Sequence, residues 1–278
     1  MANTKDIKGA VANAPAVQAG QSLEVLLNKD NIKKRFEEIL GKKAAGFMSS
    51  IISATKTNQK LRAANPNSIL SSAVIAATLD LPINQNLGFA HIVPYGGEAQ
   101  FQMGWKGFVQ LAIRTGQYKT MNAAAVYEGE IKEYNRITGE IEFDLKAQKS
   151  NKVIGYVAFF RLINGFEKYF YMTLEEVTAH GQRYSKSFST GNWKTNFEPM
   201  ALKTVIKLLL SKYGILSIDM QRAMEADQAV VNARGDGFEF DYKDAPPEPV
   251  VEATPIEIVK PIPFDVDDGQ DAIEPAAV

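Results

Sequence analysis

Two stretches of this 278-residue chain combine the side chains needed to hold a polyanion. Residues 88–119 read GFAHIVPYGGEAQFQMGWKGFVQLAIRTGQYK and carry Gln102, Lys106, Arg114 and Lys119. Residues 183–212 read RYSKSFSTGNWKTNFEPMALKTVIKLLLSK and carry Arg183, Lys186, Trp193, Lys194, Lys203 and Lys207. Acids are scarce in both. Ammonium and guanidinium groups pair with phosphates, and a flat ring offers any base a face to stack on. The hydroxyls of Ser185, Ser187, Ser189 and Thr190 add donors for phosphate oxygens, and Gly191 lets the backbone approach closely. The chemistry indicated is binding of single-stranded nucleic acid. The competing reading is that Phe188, Trp193 and Phe197 plug a long loop into the core and that the helical lysines are merely solvated.

Charge distribution points the same way. Residues 1–222 hold 28 Lys+Arg against 18 Asp+Glu, whereas residues 223–278 hold 3 against 14. The formal net charge of −1 therefore hides a basic body and an acidic end, an asymmetry that suggests a polyanionic partner. A neutral enzyme with a solubilising tail would share that average.

Other chemistries fare worse. Without cysteine there is no disulfide, thiolate metal site or cysteine nucleophile. His91 and His180 are the only imidazoles, and neither has a nucleophile in a recognisable spacing. Gly41-Lys42-Lys43-Ala44-Ala45-Gly46 has the glycine spacing of a phosphate loop but is followed by Phe47-Met48 instead of Lys-Ser/Thr. Glu128, Glu130, Glu133, Glu140, Glu142 and Asp144 could be imagined as a metal-dependent nuclease site, the alternative enzyme reading. Their alternation along strands fits a solvated sheet face better. No cofactor, metal or catalytic residue is expected. The N-terminus lacks the apolar core of a signal peptide and no run is long enough to span a membrane, so a cytoplasmic protein is expected.

The positioning elements follow from periodicity. Ser22 caps a short helix, and a helical pattern runs from Asn31 with a break near Gly46. Ser68 opens an almost wholly apolar helix that Pro82 ends. HIVPY and AQFQM flank Gly96-Gly97 as a hairpin, and a helix follows from Trp105 to about Gly116. Asn164-Gly165 joins a second hairpin, and Thr173 with Glu176 forms a capping box. Pro199 suits the first turn of a last long helix with Leu202, Val205, Ile206, Leu209, Leu210 and Tyr213 inward. The expected architecture is α+β, an antiparallel sheet of hairpins packed with helices. A mobile segment with a short helix occupies residues 1–30, the binding core 31–222, and a Pro-rich, acidic, disordered tail 223–278. Within that tail, Ile262-Pro263-Phe264 beside Asp265, Asp267 and Asp268 makes a candidate peptide for docking a partner.

At IVPYGGEAQFQMGWKGFVQLAIRTGQY and KSFSTGNWKTNFEPMALKTVIKLLLSKYG the chain resembles the RecT family of phage-type single-strand annealing recombinases. Weaker similarity runs through NPNSILSSAVIAATLDLPIN and VIGYVAFFRL, so residues 30–220 are covered. The resemblance implies an ATP-independent protein that coats single-stranded DNA and pairs it with a complement through an annealed duplex intermediate. It also implies a homo-oligomer, as a ring or helical filament, and work alongside a 5′→3′ exonuclease and the host single-strand binding protein. Positions tied to DNA map onto Lys106, Arg114, Lys119, Lys186, Trp193, Lys194, Lys203 and Lys207. Where relatives often show Asp-Phe-Asp, this chain has Asn196-Phe197-Glu198, which removes any role for a carboxylate at 196. A passive single-strand binder is the blander alternative.

Overall fold

The computed structural model describes residues 22–234 and 237–242. Ser22 accepts a hydrogen bond from Val25 N and caps α1 (Leu23–Leu27). α2 (Asp30–Leu40) ends at Gly41, whose φ of +54° only glycine adopts cheaply. The break in the helical pattern thus falls at Gly41 and not at Gly46, which lies inside α3 (Ala44–Thr57). A 3-10 turn at Gly41–Lys43 stands where the phosphate-loop spacing was noted. After α4 (Gln59–Arg62), α5 (Pro66–Thr78) starts two residues before Ser68: Asn65 is its cap and Pro66 its first residue. Ser68 is buried instead, with its Oγ donating to Asn65 O at 2.7 Å and accepting from Ala99 N at 2.8 Å.

Gly96 and Gly97, both at positive φ, turn β1 (Ala90–Tyr95) into β2 (Glu98–Met103). α6 (Trp105–Arg114) follows directly, then β3 (Tyr118–Tyr127), the small hairpin β4 (Ile131–Asn135) and β5 (Glu140–Phe143), and the hairpin β6 (Val153–Leu162) and β7 (Glu167–Thr173). The expected capping box opens α7 (Leu174–Tyr184): Glu176 N donates to Thr173 Oγ1 and Thr173 N to Glu176 Oε2. A single turn, α8 (Asn192–Thr195), interrupts the loop before α9 (Phe197–Tyr213).

The chain then departs from the expected tail. α10 (Ile218–Ala226), β8 (Ala229–Arg234) and β9 (Gly237–Asp241) are folded, and β8 lies between β2 and β9 in a four-stranded sheet ordered β1-β2-β8-β9. Averaging composition over residues 223–278 buried the hairpin AVVNARGDGFEFD inside an acidic total. The remainder of the tail, with Ile262-Pro263-Phe264, and residues 1–21 lie outside the described residues.

All strand pairs are antiparallel and the architecture is α+β. α5 packs on β2 and β8; α9 packs on β6, β7 and α6, tying the four-stranded sheet to the three-stranded sheet β3-β6-β7. The core joins Phe36, Ile75, Phe101, Phe108, Phe160 and Leu209, each shut off from solvent. Among the described residues no helix is long and apolar enough to cross a membrane.

Candidate nucleic-acid interface

The two basic stretches, with residues 120–182 between them, meet at one cleft of about 500 Å³. From the first come Gly88, His91, Gln102, Gly104 and Lys106; from the second come Asn192, Asn196, Pro199, Met200 and Lys203. The reason is local. Gly104 ends β2 and caps α6 with no side chain of its own, and an added Cβ would lie 2.0 Å from Gly88 O. The helix start is therefore pressed onto the chain entering β1, and contact between α6 and α9 brings the second stretch alongside.

Two helix N-termini open on this cleft. α6 begins at Trp105 and Lys106, α9 at Asn196, Pro199 and Met200, and neither has a side-chain cap. At α6 the orphan N–H groups of the first turn and the positive end of the helix dipole favour an anion. At α9 the Asn196 and Met200 N–H groups already donate to Asn192 O and Asn196 O, Pro199 has no N–H, and Glu198 stands in the first turn, so that end contributes less. Lys106 adds a full charge on an exposed side chain, and Lys194, on the turn between cleft residues Asn192 and Asn196, is exposed at the rim. With Asn196 in place of a carboxylate, no acidic side chain lines the cleft among the described residues.

The floor is built differently. Lys203 is 6% exposed and donates to Asp227 Oδ1 at 2.7 Å; Lys207 donates to Oδ2 at 2.7 Å, and Met103 N to Oδ1 at 2.9 Å. Burial pushes the Lys203 ammonium below its ordinary range, against the pull of Asp227. Burial alone would push Asp227 up, but the two lysines hold it below the usual carboxylate range. His91, between strand and cleft, is driven below its ordinary value by burial and then by the Lys203 ammonium, Asp227 pulling the other way. A second cavity of about 280 Å³ lies on the far side of Lys203, lined by His180, Lys207 and Asp227. His180 is lowered by burial, then by Lys207 and Arg183.

The sequence-derived residues thus sort by position. Gln102 and Lys106 line the cleft. Lys203 reaches its floor, but as a buried member of an ion pair it is not the free phosphate ligand that helical spacing suggested. Lys207 is half-buried and committed to the same carboxylate. Trp193 is 5% exposed, tilted against Phe188 (5.7 Å) and edge-on to Phe197 (5.5 Å). It also covers Gly181 of α7, where any Cβ would sit 2.9 Å from the indole. The loop-plug reading holds for this residue: its ring has no face for a base. Arg114 donates to Leu79 O at 2.6 Å and Asp80 O at 2.7 Å, satisfying carbonyls where α5 ends in the left-handed Asp80. It does not line the cleft, and neither does Lys119, exposed on β3. Arg183 lies over the Tyr184 ring at 5.4 Å, and Lys186 is exposed in the loop before α8.

The strand acids do not converge. Glu130 Oε2 accepts from Tyr127 N at 2.7 Å, Glu142 pairs with Lys132 at 2.5 Å, and Asp144 accepts from Lys146 N. Among the described residues no three of His, Asp and Glu gather as metal ligands. Sequence reasoning missed His91, Asn58, Gln85, Asn192 and Asn196 as cleft residues, and Asp227 as its buried anchor. Only proximity in the fold distinguishes these amides from ordinary loop residues.

The RecT family profile matches residues 45–246, which include every element from α4 to β9. A Bacillus subtilis (strain 168) relative described as uncharacterized protein YqaK is 50% identical over 228 residues, covering 81% of this chain and 80% of its own. Protein RecT of Escherichia coli (strain K12) is 26% identical over 226 residues, covering 77% and 83%. With the family profile matched over most of its length and a relative 50% identical over four fifths of both chains, the chain belongs to the RecT family of single-strand annealing proteins.

Proposed function

We propose that the protein binds single-stranded DNA along this cleft and anneals it to a complementary strand without ATP, in an oligomer whose subunits line up into one long groove. The observation that carries the reading is the uncapped N-terminus of α6 beside the exposed Lys106, in a cleft that the start of α9 borders and that no acidic side chain lines among the described residues. Phosphates are held there by backbone N–H groups and one lysine, with Lys194 at the rim. Such contacts read the backbone and leave base edges to test a partner strand. Annealing makes no bond, so it needs neither a nucleophile nor a nucleotide site; it needs two anionic backbones brought together against their repulsion. A ring or filament extends the groove, and the strand supplied to it is one exposed by a 5′→3′ exonuclease and covered by the host single-strand binding protein.

The test mixes complementary oligonucleotides with the purified protein and no ATP. Pairing faster than the spontaneous rate is expected. Binding without faster pairing would reduce the function to passive coating, and magnesium-dependent shortening of a labelled strand would replace it with a nuclease.

A further inference from the structure

The β4–β5 hairpin ends in a turn that holds one side chain out. Asn135 Oδ1 accepts from Ile137 N at 3.0 Å and from Thr138 N at 3.2 Å, Gly139 closes the turn at a φ of +72°, and Lys168 Nζ of β7 donates to Thr138 O. Ile137, fixed on this turn, is 85% exposed. Acids flank it: residues 128–144 hold six Asp+Glu against two Lys+Arg. A scattered surface isoleucine calls for no explanation, but one on a rigid, anionic projection can insert into a partner with little entropy left to lose.

The same chain carries a matching hollow. Leu40, Phe47, Leu81 and Pro82 wall a depression of about 370 Å³ at the meeting of α2, α3 and the loop after α5. Lys43 and Asp80 stand at its edge, paired at 3.0 Å and open to solvent. The surrounding surface is basic, since residues 29–62 hold nine Lys+Arg against three Asp+Glu. Hairpin and hollow belong to different layers of the fold. β5 packs on β7 of the three-stranded sheet, whereas α2 packs on α5, which covers the four-stranded one.

Resting on the oligomeric part of the proposed function, we infer that the β4–β5 hairpin of one copy docks into the hollow of the next. Ile137 is then buried against Leu40, Phe47, Leu81 and Pro82, and the hairpin acids face the lysines of α2 and the 3-10 turn. A protruding apolar side chain and a pocket elsewhere on the same molecule make a head-to-tail contact, which repeats from copy to copy and closes only as a ring. That is the symmetry a groove running from subunit to subunit requires. Opposite charges on the two surfaces steer copies into this arrangement and oppose tip-to-tip or hollow-to-hollow pairing. The hollow shares no residue with the cleft, and no hairpin residue lines it, so assembly leaves the cleft open.

Sedimentation of the full chain tests the contact. The native protein should form a concentration-dependent series of assemblies larger than dimers. Ile137→Asp carries a charge into the apolar seat, and the double variant Lys42→Glu, Lys43→Glu reverses the rim; all three side chains are exposed. Thermal melts check that both proteins are folded, and Lys43→Glu alone replaces the double variant if that one is not. Each variant by itself should stay monomeric where the native protein assembles. Mixed in equal amounts they should form a dimer and nothing larger, since one supplies an intact hollow and the other an intact tip. Ile137→Ser, a milder change, should raise the concentration needed for assembly by about 10- to 100-fold, the worth of one buried branched side chain. Folded variants that assemble like the native protein, a mixture that stays monomeric, or a native series that stops at the dimer would each overturn the head-to-tail contact. A native protein that never assembles, with or without single-stranded DNA, would instead remove the oligomeric reading on which the contact rests.

Discussion

The Lys203 ammonium lies 2.7 Å from Asp227 Oδ1, and both groups are almost wholly withdrawn from solvent although the sequence places one in a basic helix and the other in an acidic tail. The carboxylate is saturated by Lys203, Lys207 and Met103 N, so it locks α9 to the end of β2. Removing one partner leaves a buried charge uncompensated. Lys203→Ala or Asp227→Ala should each cost about 3–5 kcal/mol in denaturant titrations. The folded fraction of Lys203→Ala should keep a native salt dependence of DNA binding. A shallower slope would mean that Lys203 touches phosphate after all.

On the proposed reading, a bound strand meets the exposed Lys106 in the cleft and Lys194, which sits between its lining residues Asn192 and Asn196. Replacing either with Ala should weaken binding to every sequence alike and reduce the log–log salt slope by about 0.7 per lost phosphate contact on single strands. Titration at several salt concentrations reads this directly.

Trp193→Ala should lower stability by about 3–5 kcal/mol, the range for emptying a large aromatic site. Binding per folded molecule should hold, because the indole is sealed between Gly181, Phe188 and Phe197. Preserved melting with weaker binding would restore a stacking role.

Both histidines are neutral in the fold, with values below the unfolded ~6.5. The unfolded chain then binds more protons across the window between the two values, so stability rises with pH there. Their contribution is complete above about pH 6.5 and is lost as pH falls through the folded values. A phosphate in the cleft opposes the Lys203 field at His91, so DNA binding should take up a proton and tighten as pH falls below the ordinary histidine range toward the lowered folded value. Calorimetry in buffers of different ionisation enthalpy measures the uptake, and His91→Asn should abolish it.

Truncation after residue 222 would remove Asp227 and β8 and should prevent folding. Truncation after residue 242 keeps every described element. Near-native melting of the longer form beside aggregation of the shorter one is the expected pair of results.

Local chemistry was legible wherever one or two residues decide it: the Gly96-Gly97 turn and the Thr173–Glu176 capping box appear as the sequence implies, and the stripe of α9 does so at Val205, Ile206, Leu209 and Leu210, whereas Tyr213, expected inward, is exposed. The partnership of the two basic stretches was legible as composition. What was hidden is long-range. Lys203 and Arg114 both read as phosphate ligands, because the partner of the first is 24 residues away and the carbonyls the second satisfies stand at the end of α5. A tryptophan flanked by lysines advertises stacking until the glycine beneath it is located in space. Helix starts also shifted where a buried serine, Ser68, was needed by a neighbouring strand.

One consequence of the strand order concerns synthesis. β8 is inserted between β2 and β9, and Asp227 just before it anchors the cleft floor. Both basic stretches leave the ribosome well before that strand does. Until residue 234 has emerged, the four-stranded sheet lacks its third strand and Lys203 lacks its counter-ion. The cleft therefore matures late and as a unit, and nascent or prematurely terminated chains carry its lysines without its shape.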